Sequence, residues 1–303
     1  MFDLSIVGHF SIDSIVLPNL SRPYTILGGS VAYVSITANR LGASVAVVSK
    51  VGNDFPKAYL WWLDQEGIDL RTVKILGNSN TTRFELIYSK DFSSRKLRLL
   101  SRAEPIMIDD IPNHLLARVF HLAPIANEIP YEVAEKLRKR ADFLSLDAQG
   151  IVRSFQENGE VSLYTPEGRD ILHLVDIFKS SDAEVRAITG EQDLKSAVKA
   201  IHDFGVETVI VTMGVEGAWL SIDGTMYKVP VYTPGKLIDP TGAGDAFIGG
   251  FLNEYIHDGD SYWCACVGSA AASMIVEGIG PTSLGSREEI YSRARILYEK
   301  GNN

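Results

Sequence analysis

The stretch that most constrains this chain is the DPTGAGD run of residues 239–245, which leads directly into a helical pattern. Apolar side chains recur from Phe247 to Ile256 with the spacing of one buried helix face. Glycines just before a helix leave backbone N–H groups open to a ligand, and the helix dipole favours an anion there. Asp245 would lie in the first turn, where a carboxylate beside a phosphate is suited to removing a proton from a nucleophile. The simpler alternative is that Asp245 only caps the helix.

Length, charge and cysteine content exclude several classes of protein. A chain of 303 residues can bury a large core, as one large α/β domain or as two domains. Its net charge of −9 argues against nucleic acid or an anionic membrane as the main partner. No apolar run reaches transmembrane length and the N-terminus enters a strand pattern at once, so we predict a cytoplasmic protein. Cys264 and Cys266 are expected to be structural thiols rather than metal ligands.

Strand and helix patterns alternate along most of the chain, which predicts an α/β fold with a central, mostly parallel sheet and helices on both faces. Asp223-Gly224, between two short strand patterns, predicts a hairpin. The predicted strands cover residues 3–7, 44–50, 118–123, 143–147, 176–180 and 208–213. The predicted helices run from Val31 to Leu41, over 132–141 and 194–204, and over roughly 260–277 and 286–300.

Residues 80–102 follow a different pattern. Two short strand-like runs, 83–88 and 95–99, are joined by a polar turn at 90–94. They contain too few apolar residues for a core of their own, so we predict that they form, with part of 12–27, a small sheet over the main domain. The chain is therefore interpreted as one domain, 1–303, with lid strands inserted at about 12–27 and 80–102. An exposed edge of such a sheet could pair with a second subunit.

Four carboxylates follow predicted strand ends or the glycine run, at the edge where an open α/β sheet gathers ligand groups: Asp13, Asp147, Glu184 and Asp245. Together with the glycine loop they suggest phosphoryl transfer. The loop amides would hold the transferred group, a magnesium ion would offset its charge, and one carboxylate would take the hydroxyl proton. There is no G-x-x-x-x-G-K-[ST] run and no G-x-G-x-x-G after the first strand. A P-loop protein and an NAD-dependent oxidoreductase are both disfavoured.

The DPTGAGD run and its helix resemble the C-terminal signature of the PfkB, or ribokinase-like, family of carbohydrate kinases. Other segments resemble the family's first strand, N-terminal signature and nucleotide turn: Gly8–Asp13, Gly28-Gly29 with Leu41-Gly42 and Val51–Asp54, and Thr212–Gly217. The resemblance covers nearly the whole chain. It implies a central α/β domain with a small β-lid, and an ATP-dependent kinase that phosphorylates a hydroxyl of a small sugar or polyol with Mg²⁺. It also suggests a homodimer formed through the lid. Whether a monovalent cation is needed stays open.

The resemblance assigns a role to each matching residue. Asp245 would be the general base, and the amides of Gly242, Ala243 and Gly244 would form the anion hole. Glu184 would organise magnesium through water. Substrate hydroxyls would be bound by Asp13, Gly28 and Gly29, and the nucleotide by Thr212, Gly214, Gly217 and Ser269.

Two positions depart from the ribokinase pattern. Ser181 stands where the family's Asn-x-x-Glu motif has its Asn, and Tyr33 stands where ribokinases carry a substrate-binding Asn. A tyrosine offers one hydroxyl and a stacking face, so the substrate is not expected to be held as ribose is. Three segments, 28–33, 147–153 and 178–181, resemble the myo-inositol kinase branch. On this hypothesis Tyr33, Gln149, Arg153 and Arg83 contact a hydroxyl-rich ring, and surface ion pairs are the alternative for both arginines.

Two other functions stay open at this point: a nucleoside kinase, and a non-catalytic sugar- or nucleotide-binding protein on the same fold. Asp245 argues against the second, because a binding module has no use for a base beside a phosphate. His9 and His121 lie near strand ends and are expected to be structural. Trp61 and Trp62 are expected to belong to the core or to an interface.

Overall fold

The computed structural model describes residues 1–18, 20–90, 92, 94–233 and 235–301. Its strands in chain order are β1 (Phe2–Val7), β2 (Ser11–Val16), β3 (Tyr24–Gly28), β4 (Val45–Gly52), β5 (Asp69–Leu76), β6 (Thr82–Tyr88), β7 (Arg95–Ser101), β8 (Ala117–Leu122), β9 (Phe143–Asp147), β10 (Arg153–Phe155), β11 (Val161–Leu163), β12 (Ile177–Ser181), β13 (Thr208–Thr212), β14 (Ala218–Ile222) and β15 (Thr225–Val229). Its α-helices are α1 (Ser30–Leu41), α2 (Lys57–Gln65), α3 (Tyr131–Arg138), α4 (Asp182–Thr189), α5 (Leu194–His202), α6 (Ala243–Tyr255), α7 (Ser261–Ile275) and α8 (Arg287–Gly301).

A nine-stranded sheet in this described part of the chain has the spatial order β15-β14-β13-β12-β9-β8-β1-β4-β5. Every neighbouring pair from β13 to β5 is parallel, and the β13–β14 and β14–β15 pairs are antiparallel. The β14–β15 hairpin turns at Asp223-Gly224, as predicted, with Asp223 at φ 47 and Gly224 at φ 83. The carboxyl ends of the parallel strands therefore meet at one edge.

Helices cover both faces of this sheet because its central strands are apolar on both sides. Along β1, Leu4 and Ile6 belong to a core shared with α1, α2, α6, α7 and α8, whereas Val7 belongs to a core shared with α3, α4 and α5. Burial of both faces is the expected environment of a mainly parallel sheet. No helix in the described residues is long and apolar enough to span a membrane.

The predicted lid is a second sheet with strand order β3-β2-β6-β7. β2 pairs in parallel with β6, and the other two pairs are antiparallel. Its apolar side chains, among them Ile15, Phe84 and Leu86, form a cluster with Ile125 and Ala126 of the main domain. The lid thus depends on the main domain for its core. Asp91 and Ser93 of the predicted turn lie outside the described residues.

Several elements escaped prediction for identifiable reasons. β5 is a half-exposed edge strand whose apolar and polar residues do not alternate cleanly. The β10–β11 hairpin has three residues per strand, too few for a periodic signal, and it joins the lid through an Arg98–Glu160 bridge. Of the two tryptophans, Trp62 packs against the core, whereas Trp61 on the same helix is 66% exposed.

Helices α6 and α7 pack unusually closely, because glycines lie where they cross. A Cβ built on Gly268 would lie 2.5 Å from the Phe247 carbonyl oxygen, and one on Gly250 would lie 3.1 Å from the Gly268 Cα. Since α6 begins at the DPTGAGD loop, this crossing sets the position of the helix start.

We therefore expect Gly268→Ala to lower the free energy of unfolding by about 1–3 kcal/mol, because the new methyl group forces the two helices apart. Denaturant unfolding measures this change. Gly168→Ala is the matched control, since nothing lies within 4 Å of a Cβ at that position. Equal stability of the two variants would contradict the close-packing argument.

Candidate active site

A cleft of about 900 Å³ lies at the carboxyl edge of the central sheet and extends beneath the lid. Its volume is within the usual range for a small-molecule site. The cleft is lined by the DPTGAGD loop, by lid side chains, and by the segments after β13 and along α7. In the sheet, β12, β9 and β8 separate β13 from β1, which leads into the lid strand β2, so the cleft has a lid half and a β13–α7 half.

The loop is shaped by its own hydrogen bonds. Asp239 Oδ1 accepts from the Thr241 amide (2.9 Å) and from Thr241 Oγ1 (2.6 Å). Gly242 has φ 81 and is the N-cap of α6; a Cβ there would lie 2.2 Å from the Tyr33 ring. The Ala243 amide makes a long contact, 3.3 Å, with the Pro240 carbonyl. These contacts place the backbone of residues 242–244 along the cleft at a helix N-terminus, where an anion is favoured.

Asp245 lies in the first turn of α6 and faces the cleft. Its carboxylate accepts a hydrogen bond from Ser30 Oγ at the start of α1. Burial raises the pKa of Asp245 to about 6, although the Lys179 ammonium opposes the shift. A carboxylate with a raised pKa is a better proton acceptor near neutral pH than an ordinary aspartate.

A buried ion pair lies next to Asp245. Lys179 Nζ is 2.7 Å from Asp147 Oδ2, and the two residues are register partners on β12 and β9. A Cβ on Gly244 would lie 2.9 Å from Lys179 Nζ. Burial lowers the pKa of Lys179, but the Asp147, Asp245 and Glu184 carboxylates outweigh it and hold that pKa above its usual value. The sequence analysis predicted a role for Asp147 but not for Lys179. The available indication was that Lys179 is a charged residue within a strand that is otherwise apolar or small and buried.

Asp13 lies at the opposite side of the cleft from the α7 segment, on β2. It is buried, and burial raises its pKa to about 6 even though Ser11 Oγ donates to it at 2.7 Å. Gly29 lines the cleft and is the N-cap of α1 at φ 88. Gly28 packs against the Asp13 carboxylate, where a Cβ would lie 2.0 Å from Oδ2. Any larger residue than glycine would displace that carboxylate.

Gln149 and Arg153 come together beside Asp13, at the same end of the cleft. Arg153 donates to Gln149 Oε1 (2.5 Å) and to the Ile125 carbonyl (3.0 Å), and its guanidinium lies 5.6 Å from the centre of the Phe84 ring. Burial, with a contribution from Arg95, lowers the pKa of Arg153 to about 10, so it stays charged at neutral pH. Arg153 is thus a cleft residue, not a surface ion pair.

Tyr33 is buried against the loop, and its hydroxyl has no hydrogen-bond partner within the described residues. By contrast, Arg83 does not line the cleft. It forms an ion pair with Asp54, with Nη2 2.8 Å from Oδ2. The assignment of Arg83 as a substrate contact is therefore not supported, and the ion-pair alternative describes this arginine.

Both histidines are buried and have structural partners. His9 contacts Thr82 Oγ1 (2.9 Å) through Nδ1 and the Glu104 carbonyl (3.0 Å) through Nε2. His121 Nδ1 lies 2.9 Å from Ser145 Oγ, and burial lowers the pKa of His121 to about 3. His121 therefore stays neutral at physiological pH, and it does not line the cleft, so we assign it no role in proton transfer there.

The other half of the cleft contains every residue that the sequence assigned to the nucleotide: Thr212, Gly214, Gly217 and Ser269. Thr212 Oγ1 donates to the Ser180 carbonyl (3.2 Å), and Ser269 Oγ donates to the Pro230 carbonyl (2.8 Å). Gly217 has φ 93, and a Cβ there would lie 2.2 Å from the Val229 carbonyl oxygen. This turn can therefore be formed only with glycine.

Glu184 and Ser181 line the cleft between its two halves. They form a capping box at the start of α4: Ser181 Oγ accepts from the Glu184 amide (3.3 Å), and Glu184 Oε2 accepts from the Ser181 amide (2.7 Å). These two hydrogen bonds with Ser181 fix the position of the Glu184 side chain at the N-terminus of α4. Glu184 is only partly buried, and one carboxylate oxygen is left to bind water around a metal ion.

Comparison with known proteins identifies the family. The model of the pfkB family carbohydrate kinases matches residues 3–288. This chain belongs to the pfkB family of carbohydrate kinases. The predicted resemblance is thereby confirmed, as is the prediction of a phosphotransferase with an alcohol group as acceptor.

Two relatives differ in the substrates that their names give. A cytidine kinase of Thermococcus kodakarensis is 32% identical over 94% of this chain and 99% of its own. An inositol 3-kinase of rice is 31% identical over 84% of this chain, which spans 63% of the rice protein. The kinase chemistry is common to both, and the acceptor is not.

Solved structures confirm the ribokinase-like fold. A pyrophosphate-dependent kinase in the ribokinase family, complexed with a pyrophosphate analog and myo-inositol, has a TM-score of 0.83, 26% identity and coverage of 95% of this chain and 99% of its own. A pyrophosphate-dependent myo-inositol-1 kinase converted into a myo-inositol-3 kinase by two substitutions to leucine has a TM-score of 0.82, 25% identity and coverage of 97% and 99%.

The raised pKa of Asp245 predicts the pH dependence of the kinase. Asp245 can accept a proton only when it is ionised, and kcat/KM reports the groups of the free enzyme, so kcat/KM should fall as the pH drops through about 6 rather than through about 4. Asp13, whose pKa is also raised, contributes a second group to the same acidic fall in activity. A pH profile of kcat/KM measures this, and in Asp13→Asn the logarithm of kcat/KM should fall with a slope of one. The prediction would be contradicted if the activity of the wild type and of Asp13→Asn fell only near pH 4.

Proposed function

We propose that Asp245 is the general base of this kinase and that the amides of Gly242, Ala243 and Gly244 hold the transferred phosphoryl group. The observation that carries the proposal is the position of Asp245, which lines the cleft in the first turn of α6, directly after the glycine loop, and accepts a hydrogen bond from Ser30 of α1. An acceptor hydroxyl reaching Asp245 from the lid side would face a donor phosphate from the other side. The carboxylate would take the hydroxyl proton as the oxygen attacks phosphorus.

The proposed acceptor is myo-inositol. Asp13, Gln149 and Arg153 form a polar group of one acceptor and several donors beside the base, and the Tyr33 hydroxyl adjoins it. A ring with a hydroxyl on every carbon requires many hydrogen-bond partners in the site, since each hydroxyl that leaves water must form a hydrogen bond with the protein. The rice relative and the two solved structures described above act on or bind inositol, which supports the proposal.

Cytidine is the second candidate. The Thermococcus relative is a cytidine kinase, and Phe84, Leu86 and Leu97 of the lid, with Ile125 of the main domain, present an apolar surface to the cleft. An apolar surface of this kind suits the face of a nucleobase as well as the C–H face of a polyol ring.

For the donor we propose ATP with Mg²⁺. Gly214, Gly217 and Ser269 would lie along the nucleotide, and the Glu184 carboxylate would hold the magnesium shell through water. The ion would offset the negative charge of the phosphates. Pyrophosphate is the alternative donor, named for two structural neighbours. A monovalent cation, a homodimer formed through the lid and a cytoplasmic location complete the proposal.

Two leucines of the lid support a proposal for which hydroxyl is phosphorylated. Leu86 and Leu97 face each other as register partners on β6 and β7, and both line the cleft. They lie eleven positions apart, as do the two leucine substitutions that produced a myo-inositol-3 kinase. Hydroxyls 1 and 3 of myo-inositol are related by the mirror plane of the ring, so only an asymmetric wall distinguishes them. We propose that this leucine pair directs the 3-hydroxyl to Asp245.

A substrate panel tests the function. Myo-inositol, cytidine, ribose and hexoses are assayed with ATP and with pyrophosphate, and myo-inositol is expected to give the highest kcat/KM. Asp245→Asn should lower kcat about 10²–10⁴-fold, because the general base is lost. Asp258→Asn, an exposed site just beyond the other end of α6, is the control. Near-normal turnover by Asp245→Asn would overturn the assigned base, and ligand binding without turnover by the wild type would support a binding protein.

A second test concerns the product. We expect the wild type to form the 3-phosphate, and Leu86→Asn with Leu97→Ser to shift the ratio of 3- to 1-phosphate at least about tenfold, or about 1.4 kcal/mol. Because the two products are mirror images, chiral chromatography is the measurement. Ile87→Asn with Leu100→Ser, two exposed side chains of the same strands, is the matched control. An unchanged ratio in the cleft variant would contradict the role of the leucine pair.

A further inference from the structure

The lid contributes a cation to the cleft that the proposed mechanism does not yet use. Arg95 opens β7, lines the cleft, and leaves its side chain exposed to it. The other two cations beside the base are committed to protein partners, Arg153 to Gln149 and Lys179 to Asp147. Arg95 makes one side-chain hydrogen bond within the described residues, from Nη1 to Tyr88 Oη at 3.3 Å. Most of its five N–H donors are therefore available to a ligand.

Tyr88 connects this arginine to the DPTGAGD loop. Its hydroxyl lies 2.9 Å from Thr241 Oγ1, and Thr241 Oγ1 in turn donates to Asp239 Oδ1 at 2.6 Å. Because the threonine proton is used on Asp239, the tyrosine O–H is the donor to Thr241, and a tyrosine lone pair accepts from Arg95. The direction of every hydrogen bond in the Arg95–Tyr88–Thr241–Asp239 chain is thus fixed by one carboxylate.

Arg95 lies in the same cleft as the groups proposed to act on the phosphoryl group, among them Asp245 and Glu184. Partial desolvation in the cleft lowers the pKa of Arg95, but Tyr88 and the Glu184 and Asp245 carboxylates outweigh it and keep that pKa above its ordinary value. Its like charge in turn contributes to the lowered pKa of Arg153. Arg95 therefore interacts electrostatically with the proposed base, with the proposed magnesium-organising glutamate and with an acceptor-side arginine. All four residues line the same cleft, so the guanidinium is available to a phosphoryl group bound there.

We propose that Arg95 is a catalytic residue, which donates hydrogen bonds to the oxygens of the transferred phosphoryl group, and that Tyr88 is a positioning residue, which ties it to the loop. This rests on the roles proposed for Asp245 and the loop amides. The acceptor oxygen forms a bond to phosphorus, the bond to the donor's bridging oxygen breaks, and Asp245 takes the proton. Arg95 keeps its own protons and stabilises the charge on the equatorial oxygens.

The first test removes the guanidinium. Arg95→Ala should lower kcat about 10²–10³-fold with less than about a threefold change in the acceptor KM, as expected for a donor that acts in the transition state. Free guanidinium ion should restore at least about tenfold of the lost rate to this variant. Arg95→Lys, which keeps the charge but lacks the planar donors, should be intermediate. Arg98→Ala, three residues along the same strand and outside the cleft, should change neither constant.

The second test isolates the tyrosine. Tyr88→Phe keeps the ring and removes only the hydroxyl, so we expect kcat to fall about 5–20-fold, without rescue by guanidinium. Combined with Arg95→Ala it should add little, because the two residues act as one unit.

Failure of the Arg95 proposal can be distinguished from failure of the proposed kinase function. A wild type inactive on the whole panel defeats the proposed function. An active wild type whose Arg95→Ala variant keeps kcat within about threefold, or loses only acceptor affinity, or shows no rescue, overturns this inference.

Discussion

The site depends on holding an aspartate away from water while keeping it ionisable near neutral pH. Burial raises the pKa of Asp245, and the Lys179 ammonium limits that rise. That ammonium is fixed by Asp147, its register partner on the neighbouring parallel strand. The strand order of the central sheet thus sets the charge next to the proposed base. Replacing one member of the pair would leave a buried charge uncompensated, so the two residues are constrained together.

The lid is the second constraint, and it is coupled to the first through Asp239. One oxygen of that carboxylate shapes the loop by accepting from Thr241, and the other accepts from Tyr24 of β3 at 2.7 Å. Tyr88 of β6 reaches the same threonine. Two lid strands therefore hold the loop that begins α6. Any movement of the lid alters the hydrogen bonds that define the anion site, and the lid cannot be regarded as a passive cover.

Local sequence patterns predicted the parallel sheet, the hairpin at Asp223-Gly224, the two-segment lid and the family, because each depends on residues close together in the chain. Lys179 and Arg95 could not be found in this way. Their importance arises from partners 32 residues away on another strand, or from the fold of the lid over the loop, and a lone cation within a strand pattern carries no such information. The prediction that Arg83 contacts the substrate was not supported for the opposite reason. Its segment has a suitable composition, but on β6 the side chain forms an ion pair with Asp54.

In the proposed mechanism, rate and selectivity both depend on the same small sheet. Arg95 and the leucine pair lie on β6 and β7, so an acceptor that fits poorly against Leu86 and Leu97 would also hold Arg95 away from the phosphoryl group. Such an acceptor would lose transition-state stabilisation as well as binding, and induced fit would convert a modest difference in contact into a larger difference in kcat/KM. Because the loop and the base serve any acceptor hydroxyl, the difference between a polyol kinase and a nucleoside kinase on this fold is expected to reside mainly in the lid.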